Sequence, residues 1–186
     1  MNFLDQWPHG LSYADFLHKY ASTEHHRRWD AVHKLVQLTP DQQQVLASFR
    51  REMLVLVVAG AWCGDCVNQC PIFDHFERAT DRLKIRYFDR DEHPVLADEL
   101  QLCGGRRVPS LVFLAEDGAP CARYGDRTLS RYRQIAAEQQ GATCPTGLVL
   151  PGQAEFGVVV QEWLDEFERV QLMLRTSARL RQKHGD

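Results

Sequence analysis

The sequence predicts an α/β domain, a mixed sheet sandwiched between helices, with helical extensions at both ends. Three observations carry this. Met53 to Ala59 (MLVLVVA) is a short, continuous, β-branched apolar run, the pattern of a strand buried on both faces. Helical and strand patterns alternate around it as strand-helix-strand-helix-strand-strand-helix, the order of a sheet covered by helices. A chain of 186 residues buries roughly 70% of its unfolded surface, enough for one substantial core and short of two.

The elements follow in order. Residues 1–38 read as a helical N-terminal extension. Ser12 with Asp15 makes a capping signature, and Trp29, Val32, Leu35 and Val36 recur at helical spacing. The run Glu24-His25-His26-Arg27-Arg28 reads as a solvated face, because adjacent histidines on a helix point in different directions. Residues 39–141 form the central domain. Thr39-Pro40-Asp41-Gln42 supplies an N-cap, a proline at the first helical position and a glutamine at the third, ahead of Val45, Leu46 and Phe49. After the 53–59 strand, a helix runs from about 65 to 80 with Ile72, Phe73 and Phe76. A strand at 84–88, a short helix at 95–102 and a strand at 110–114 follow. Glu116-Asp117-Gly118 turns the chain into a strand at 121–124, and a helix over 129–139 closes the domain.

Residues 142–186 hold a loop (Cys144-Pro145-Thr146-Gly147, then Pro151-Gly152) and a long helix over 155–183. Phe156, Val159, Val160, Trp163, Phe167, Val170 and Leu174 line one face of it. At 1.5 Å per residue such a helix is about 43 Å long, so it must bend, cross the body or project. Its stripe reads as core or as a seam against the N-terminal helices, with a dimer interface as the alternative, so that the protein is expected to be a monomer or weak dimer. Arg175 to Lys183 reads as its solvated end.

Composition excludes several classes. A net charge of −3 leaves no basic excess for nucleic acid. No run approaches 18 apolar residues, so no membrane span is expected. The opening MNFLDQWPHG lacks the basic start and apolar stretch of a secretory signal, and a cytoplasmic protein is expected. Six cysteines then call for a chemical explanation, since a reducing cytosol does not keep structural disulfides.

The chemistry concentrates in Ala61-Trp62-Cys63-Gly64-Asp65-Cys66, immediately after the buried strand and opening a helix. There the first thiol meets free backbone N–H groups and the positive end of the helix dipole, which favour its thiolate. The second thiol, one turn inside, can attack a mixed disulfide and release the product. Cys63 is the candidate nucleophile and Cys66 the candidate resolving thiol. A CxxC alone also occurs in zinc sites, but here the preceding strand, Pro71 inside the helix and Val108-Pro109-Ser110 at the next strand agree.

With these residues the chain resembles the thioredoxin superfamily over about residues 39–141. WCGDC matches the family's active-site pattern, Pro71 its helix-kinking proline, and Val108-Pro109 its cis-proline loop. The CGDC motif, with Arg90-Asp91-Glu92 and the GxRxVPS stretch, looks like a bacterial thioredoxin-like group. The resemblance implies a three-layer α/β/α sandwich with a mixed four- to five-stranded sheet, and disulfide exchange through Cys63 and Cys66. It further implies that Trp62, Val108 and Pro109 frame the substrate groove, with the Val108 backbone offered to a bound peptide. The electrons reside in the cysteines, so no cofactor or metal is expected. The partners are a disulfide-containing protein or small thiol and an unidentified reductase.

Two departures bear on reactivity. The family's buried aspartate, six residues before the first cysteine, is Val57 here. The dipeptide between the cysteines is Gly64-Asp65, whose carboxylate opposes ionisation of Cys63 by roughly one pKa unit at an effective dielectric of about 20–40. Arg106 and Arg107 on the approaching loop are the candidates to offset it. The expectation is a thiolate less stabilised than in strong oxidants, on the reducing or isomerising side.

The remaining cysteines invite other readings. Cys70 sits one turn after Cys66, too far for an unstrained disulfide, and reads as a small buried hydrophobe. Cys63, Cys66 and Cys70, completed by Cys103, are the alternative four-cysteine zinc set. Cys103 reads as a loop residue near the site rim, or as an accessory thiol, Cys121 as core, and Cys144 as an exposed bystander. A binding module that uses the groove or the terminal helices is the alternative function.

Overall fold

The computed structural model describes residues 1–140 and 153–186. Cys144 and its loop lie outside the described residues. Four strands form one sheet: β1 (Met53–Ala59), β2 (Leu83–Asp89), β3 (Ser110–Ala115) and β4 (Pro120–Gly125), in the order β2-β1-β3-β4. β1 runs parallel to β2 and antiparallel to β3, and β3 and β4 form the antiparallel hairpin. Every residue of β1 and β3 is buried, as their unbroken apolar runs require of central strands. β4 is an edge strand, nowhere fully buried, and Cys121 on it is only half-buried. This corrects its reading as core. The outer edge of β2 is capped by one residue: Leu11 exchanges backbone hydrogen bonds with Tyr87 at 2.9 and 2.8 Å.

The helices are α1 (Tyr13–Tyr20), α2 (Thr23–Leu35), α3 (Pro40–Ala47), α4 (Gly64–Ala79), α5 (Pro94–Glu99), α6 (Leu129–Gln140), α7 (Gln153–Thr176) and α8 (Ala178–His184), preceded by a 3-10 turn over Leu4–His9. The capping signatures work locally: the Ser12 hydroxyl accepts from the Asp15 N–H, and Thr39 with Gln42 forms a reciprocal box. Ser22 and His25 form a second such box at the start of α2, which gives His25 a structural task within the charged run. In that helix Trp29 and Val32 are buried, whereas Leu35, expected on the same face, is exposed.

Successive residues of β2 divide the layers. Tyr87 faces α1 and α4, its ring 5.8 Å from both Tyr13 and Phe16 and its hydroxyl donating to the Cys70 carbonyl. Phe88 faces the opposite layer, against Gly10 and, edge-on at 5.2 Å, His93 at the start of α5. α7 lies over α4 and the β3–β4 side of the sheet. Phe167 packs against Phe73, Phe76 and Phe113, and Trp163 against Phe73 and Tyr124. The buried Gln171 amide accepts from the Arg50 and Arg51 N–H groups and donates to the Arg51 carbonyl, satisfying the loop that leads into β1.

The expected single helix over 155–183 is corrected to two. The chain breaks at Ser177, and α8 begins there and buries Leu180. Its basic residues are not a free solvated end: Arg179 pairs with Asp117, and Lys183 and His184 pair with Glu116, both acids belonging to the β3–β4 turn. Among the described residues, no helix is long and apolar enough to cross a membrane.

Candidate functional site

The β1–α4 turn carries the dithiol. Cys63 is the N-cap of α4, with Gly64 as its first helical residue. Its thiol is half-buried and donates to the Val108 carbonyl at 3.6 Å. The Val108–Pro109 bond is cis and opens β3, so the loop expected to face Cys63 does so. Cys66 is fully buried, and the Gly60 N–H donates to its sulfur at 3.4 Å. Val57, where the buried aspartate would stand, is fully buried on β1.

Trp62 is 44% exposed and lies over the turn. Its ring covers Gly60 so closely that a Cβ there would stand 2.7 Å from it, so a side chain at this position would displace the ring. The Arg90 guanidinium stacks on the same ring at 4.4 Å. On the underside, the Trp29 indole N–H donates to the Ala61 carbonyl at 2.8 Å, fixing the turn to α2.

The charges around the dithiol form one chain. Arg127, just after β4, donates to Asp65 at 2.6 Å and lies 3.3 Å from Asp126, whose carboxylate is nearly buried. Arg107 reaches the same Asp126 at 3.6 Å, and the Tyr132 hydroxyl donates to its other oxygen. Arg106 is held by two 2.6 Å bonds to Asp98. The expectation that Arg106 and Arg107 offset Asp65 is therefore corrected. Both are engaged elsewhere, and Arg127 is the partner of that carboxylate.

Beside the cis-proline loop stands a backbone wall that has no local signal in the sequence. Gly125 has φ +142, and a Cβ on it would stand 2.4 Å from the Pro109 carbonyl oxygen. The Gly125–Asp126 bond is also cis. Behind this wall the buried Gln69 side chain of α4 donates to the Asp126 carbonyl at 2.8 Å and accepts from the Trp163 indole at 2.9 Å, which ties α7 to the site.

Burial pushes the Cys66 thiol well above the ordinary thiol range. Cys63 is pushed up as well, by its hydrogen bond to Cys66, by partial burial and by the Asp65 carboxylate. Of the two, Cys63 alone reaches solvent and the helix N-terminus. Cys70 is buried behind Cys66, and Cys103 is exposed in a tight turn with φ +51. Among the described residues, no three Cys, His, Asp or Glu side chains gather as a metal site.

A family model described as thioredoxin matches residues 10–138. The chain belongs to the thioredoxin family. This thioredoxin-family chain is also similar to solved structures. PA1234 from Pseudomonas aeruginosa, a protein of unknown function, shares 16% identity with it at a TM-score of 0.67, covering 90% of this chain and 98% of that one. An HIV epitope scaffold gives 16% identity and 0.65, covering 90% and 99%. Mitochondrial thioredoxin 3 from Saccharomyces cerevisiae gives 19% and 0.36, covering 57% and 98%. At 16% identity the first two likenesses bear on the fold alone. Among curated proteins, none matches the chain.

Proposed function

We propose that this thioredoxin-family protein is a thiol–disulfide oxidoreductase that reduces or isomerises disulfides through Cys63 and Cys66. The observation that carries the reading is the Cys63 thiol at the N-terminus of α4, facing the Val108 carbonyl beside the cis Pro109, with Cys66 buried one turn behind. The Cys63 thiolate attacks one sulfur of a substrate disulfide. A Cys63–substrate disulfide forms, the substrate S–S bond breaks, and the other substrate sulfur leaves as a thiolate that takes up a proton. Cys66 then gives up its proton and attacks the Cys63 sulfur, releasing the second substrate thiol and leaving a Cys63–Cys66 disulfide.

Two electrons pass to the substrate in that sequence, and a reductase returns them to the dithiol. In isomerisation the substrate's own thiolate displaces Cys63 and no net electrons move. Trp62, held by Gly60 and Arg90, walls one side of the groove, and Val108 and Pro109 offer backbone to an extended segment carrying the disulfide. A dithiol kept reduced in this way fits a cytoplasmic setting.

The test is turnover of a protein disulfide with dithiothreitol as electron source. Cys63→Ser is expected to abolish it, and Cys66→Ser to accumulate a mixed disulfide at Cys63. Full turnover by Cys63→Ser would overturn the assignment.

A further inference from the structure

The dithiol motif carries a negative charge that the rest of the site must accommodate. Asp65 lies between the two cysteines in the chain, largely shielded from water, and its repulsion adds to the larger effects of Cys66 and burial that hold the Cys63 thiol in its protonated form. A second carboxylate, Asp126, is nearly buried a short distance away. Without a cation beside it, the shielded Asp65 carboxylate would disfavour a neighbouring thiolate, and Asp126 would be left with less compensation.

Arg127 meets both. It donates to Asp65 at 2.6 Å and approaches Asp126 at 3.3 Å, and three-quarters of its own side chain is buried. Burial works against the Arg127 charge, but the bond to Asp65 and the nearness of Asp126 more than offset it, so the guanidinium stays charged. Asp126 in turn faces Arg107, the residue immediately before Val108. The result is a continuous chain of ion pairs, Asp65–Arg127–Asp126–Arg107. It joins the first turn of α4 to the loop that presents the Val108 carbonyl to Cys63. Gln69 holds the Asp126 backbone from the other side, at 2.8 Å.

We propose that Arg127 is the positioning residue that sets the reactivity of Cys63. It neutralises Asp65 and clamps that carboxylate, through Asp126 and Arg107, to the loop carrying Pro109. This rests on Cys63 being the nucleophile, and adds that the thiolate's stability is governed from a residue 64 positions away in the chain. The groups facing Cys63 are Cys66 and Asp65 from α4 and the Val108 carbonyl from the loop, with Arg127 and Arg107 reaching it through the two carboxylates.

The experiment is the pH profile of Cys63 alkylation by iodoacetamide, read on the Cys63 peptide by mass spectrometry so that the other thiols do not contribute. Arg127→Met should shift the midpoint upward by about one pH unit, about a tenfold loss of thiolate below it. Asp65→Asn should shift it downward, and the double variant should return close to the starting protein. Arg127→Lys, which keeps the charge, should restore at least half of the Arg127→Met shift.

Far-UV circular dichroism confirms that each variant is folded. Should Arg127→Met fail to fold because Asp126 is left buried with less compensation, Arg127→Lys and Asp65→Asn carry the test, with opposed shifts expected. An unmoved midpoint in folded Arg127→Met, or shifts of the same sign for Arg127→Met and Asp65→Asn, would overturn the proposal. Alkylation needs no turnover. A protein that fails to reduce disulfides yet shows the opposed shifts refutes the enzymatic reading and leaves Arg127's role standing.

Discussion

Truncating Phe167 to alanine is the most direct probe of whether α7 belongs to the core that supports the site. The side chain is fully buried, with ring centroids 5.7, 5.4 and 5.1 Å from Phe73, Phe76 and Phe113. It therefore bridges α7 to both α4 and β3. Removing a buried phenylalanine costs about 3–5 kcal/mol, and the lost aromatic contacts place this one in the upper part of that range, about 4–5 kcal/mol. For a chain of this size each kcal/mol lowers the melting temperature by roughly 2–4 °C, so a fall of about 8–20 °C is expected. Urea unfolding supplies the free energy directly, with an unchanged slope and a lower midpoint. Val158→Ala on the same helix is the control, because Val158 is 49% exposed and its loss should stay within about 0.5 kcal/mol. A Phe167→Ala cost below about 1 kcal/mol, or a separate early transition for the helix, would refute the view that α7 is integral to the core.

Three further outcomes follow from the same structure. Gly125→Ala should cost about 2 kcal/mol or more in urea unfolding and slow disulfide exchange, because the new methyl group meets the Pro109 carbonyl at 2.4 Å in a backbone conformation that disfavours side chains. Stability should decline with rising alkalinity. The Cys63 and Cys66 thiols are raised in the folded state, so above about pH 8.5 they ionise in the unfolded chain first, and the fold loses up to about 1.4 kcal/mol per pH unit for each such group. Tyr13 and Tyr87, both raised mainly by burial, extend the decline above about pH 10. A flat stability profile between pH 8 and 10 would contradict the raised thiols. Cys70→Ala should leave disulfide turnover within about twofold at a stability cost of about 1 kcal/mol. A tenfold loss of rate in a folded variant would make Cys70 part of the chemistry.

The strands, most helix starts and the dithiol turn were legible because each depends on residues close in sequence. An apolar run makes β1 central, Thr39 and Gln42 cap one helix, and Cys63 precedes another. The break at Ser177 left a fainter trace. Leu174 and Leu180 are both buried but six residues apart, and at about 100° per residue a straight helix would turn them to different faces. Burying both requires the bend, though neither proline nor glycine marks it. Arg127 and Gly125 had no local signal at all. In the sequence Arg106 and Arg107 are the basic residues nearest the Pro109 loop, yet the hairpin carries β4 alongside β3 and brings Arg127 to the Asp65 carboxylate instead. The requirement for glycine at 125 likewise exists only once β4 ends against the Pro109 carbonyl.

The reduction potential of the Cys63–Cys66 couple, measured by equilibration against dithiol or glutathione buffers, tests the central claim most directly. Among the described residues, the influences that raise the Cys63 thiol outweigh the backbone N–H that favours its thiolate. The thiol donates to the Val108 carbonyl and lies against the buried Cys66, and the nearby carboxylate is paired with Arg127 rather than leaving a free positive charge at the thiol. The expected result is a single two-electron couple near −270 mV, that of a reductant. A value near −120 mV would mark a strong oxidant with a stabilised thiolate and contradict the account. So would the absence of any reversible Cys63–Cys66 couple.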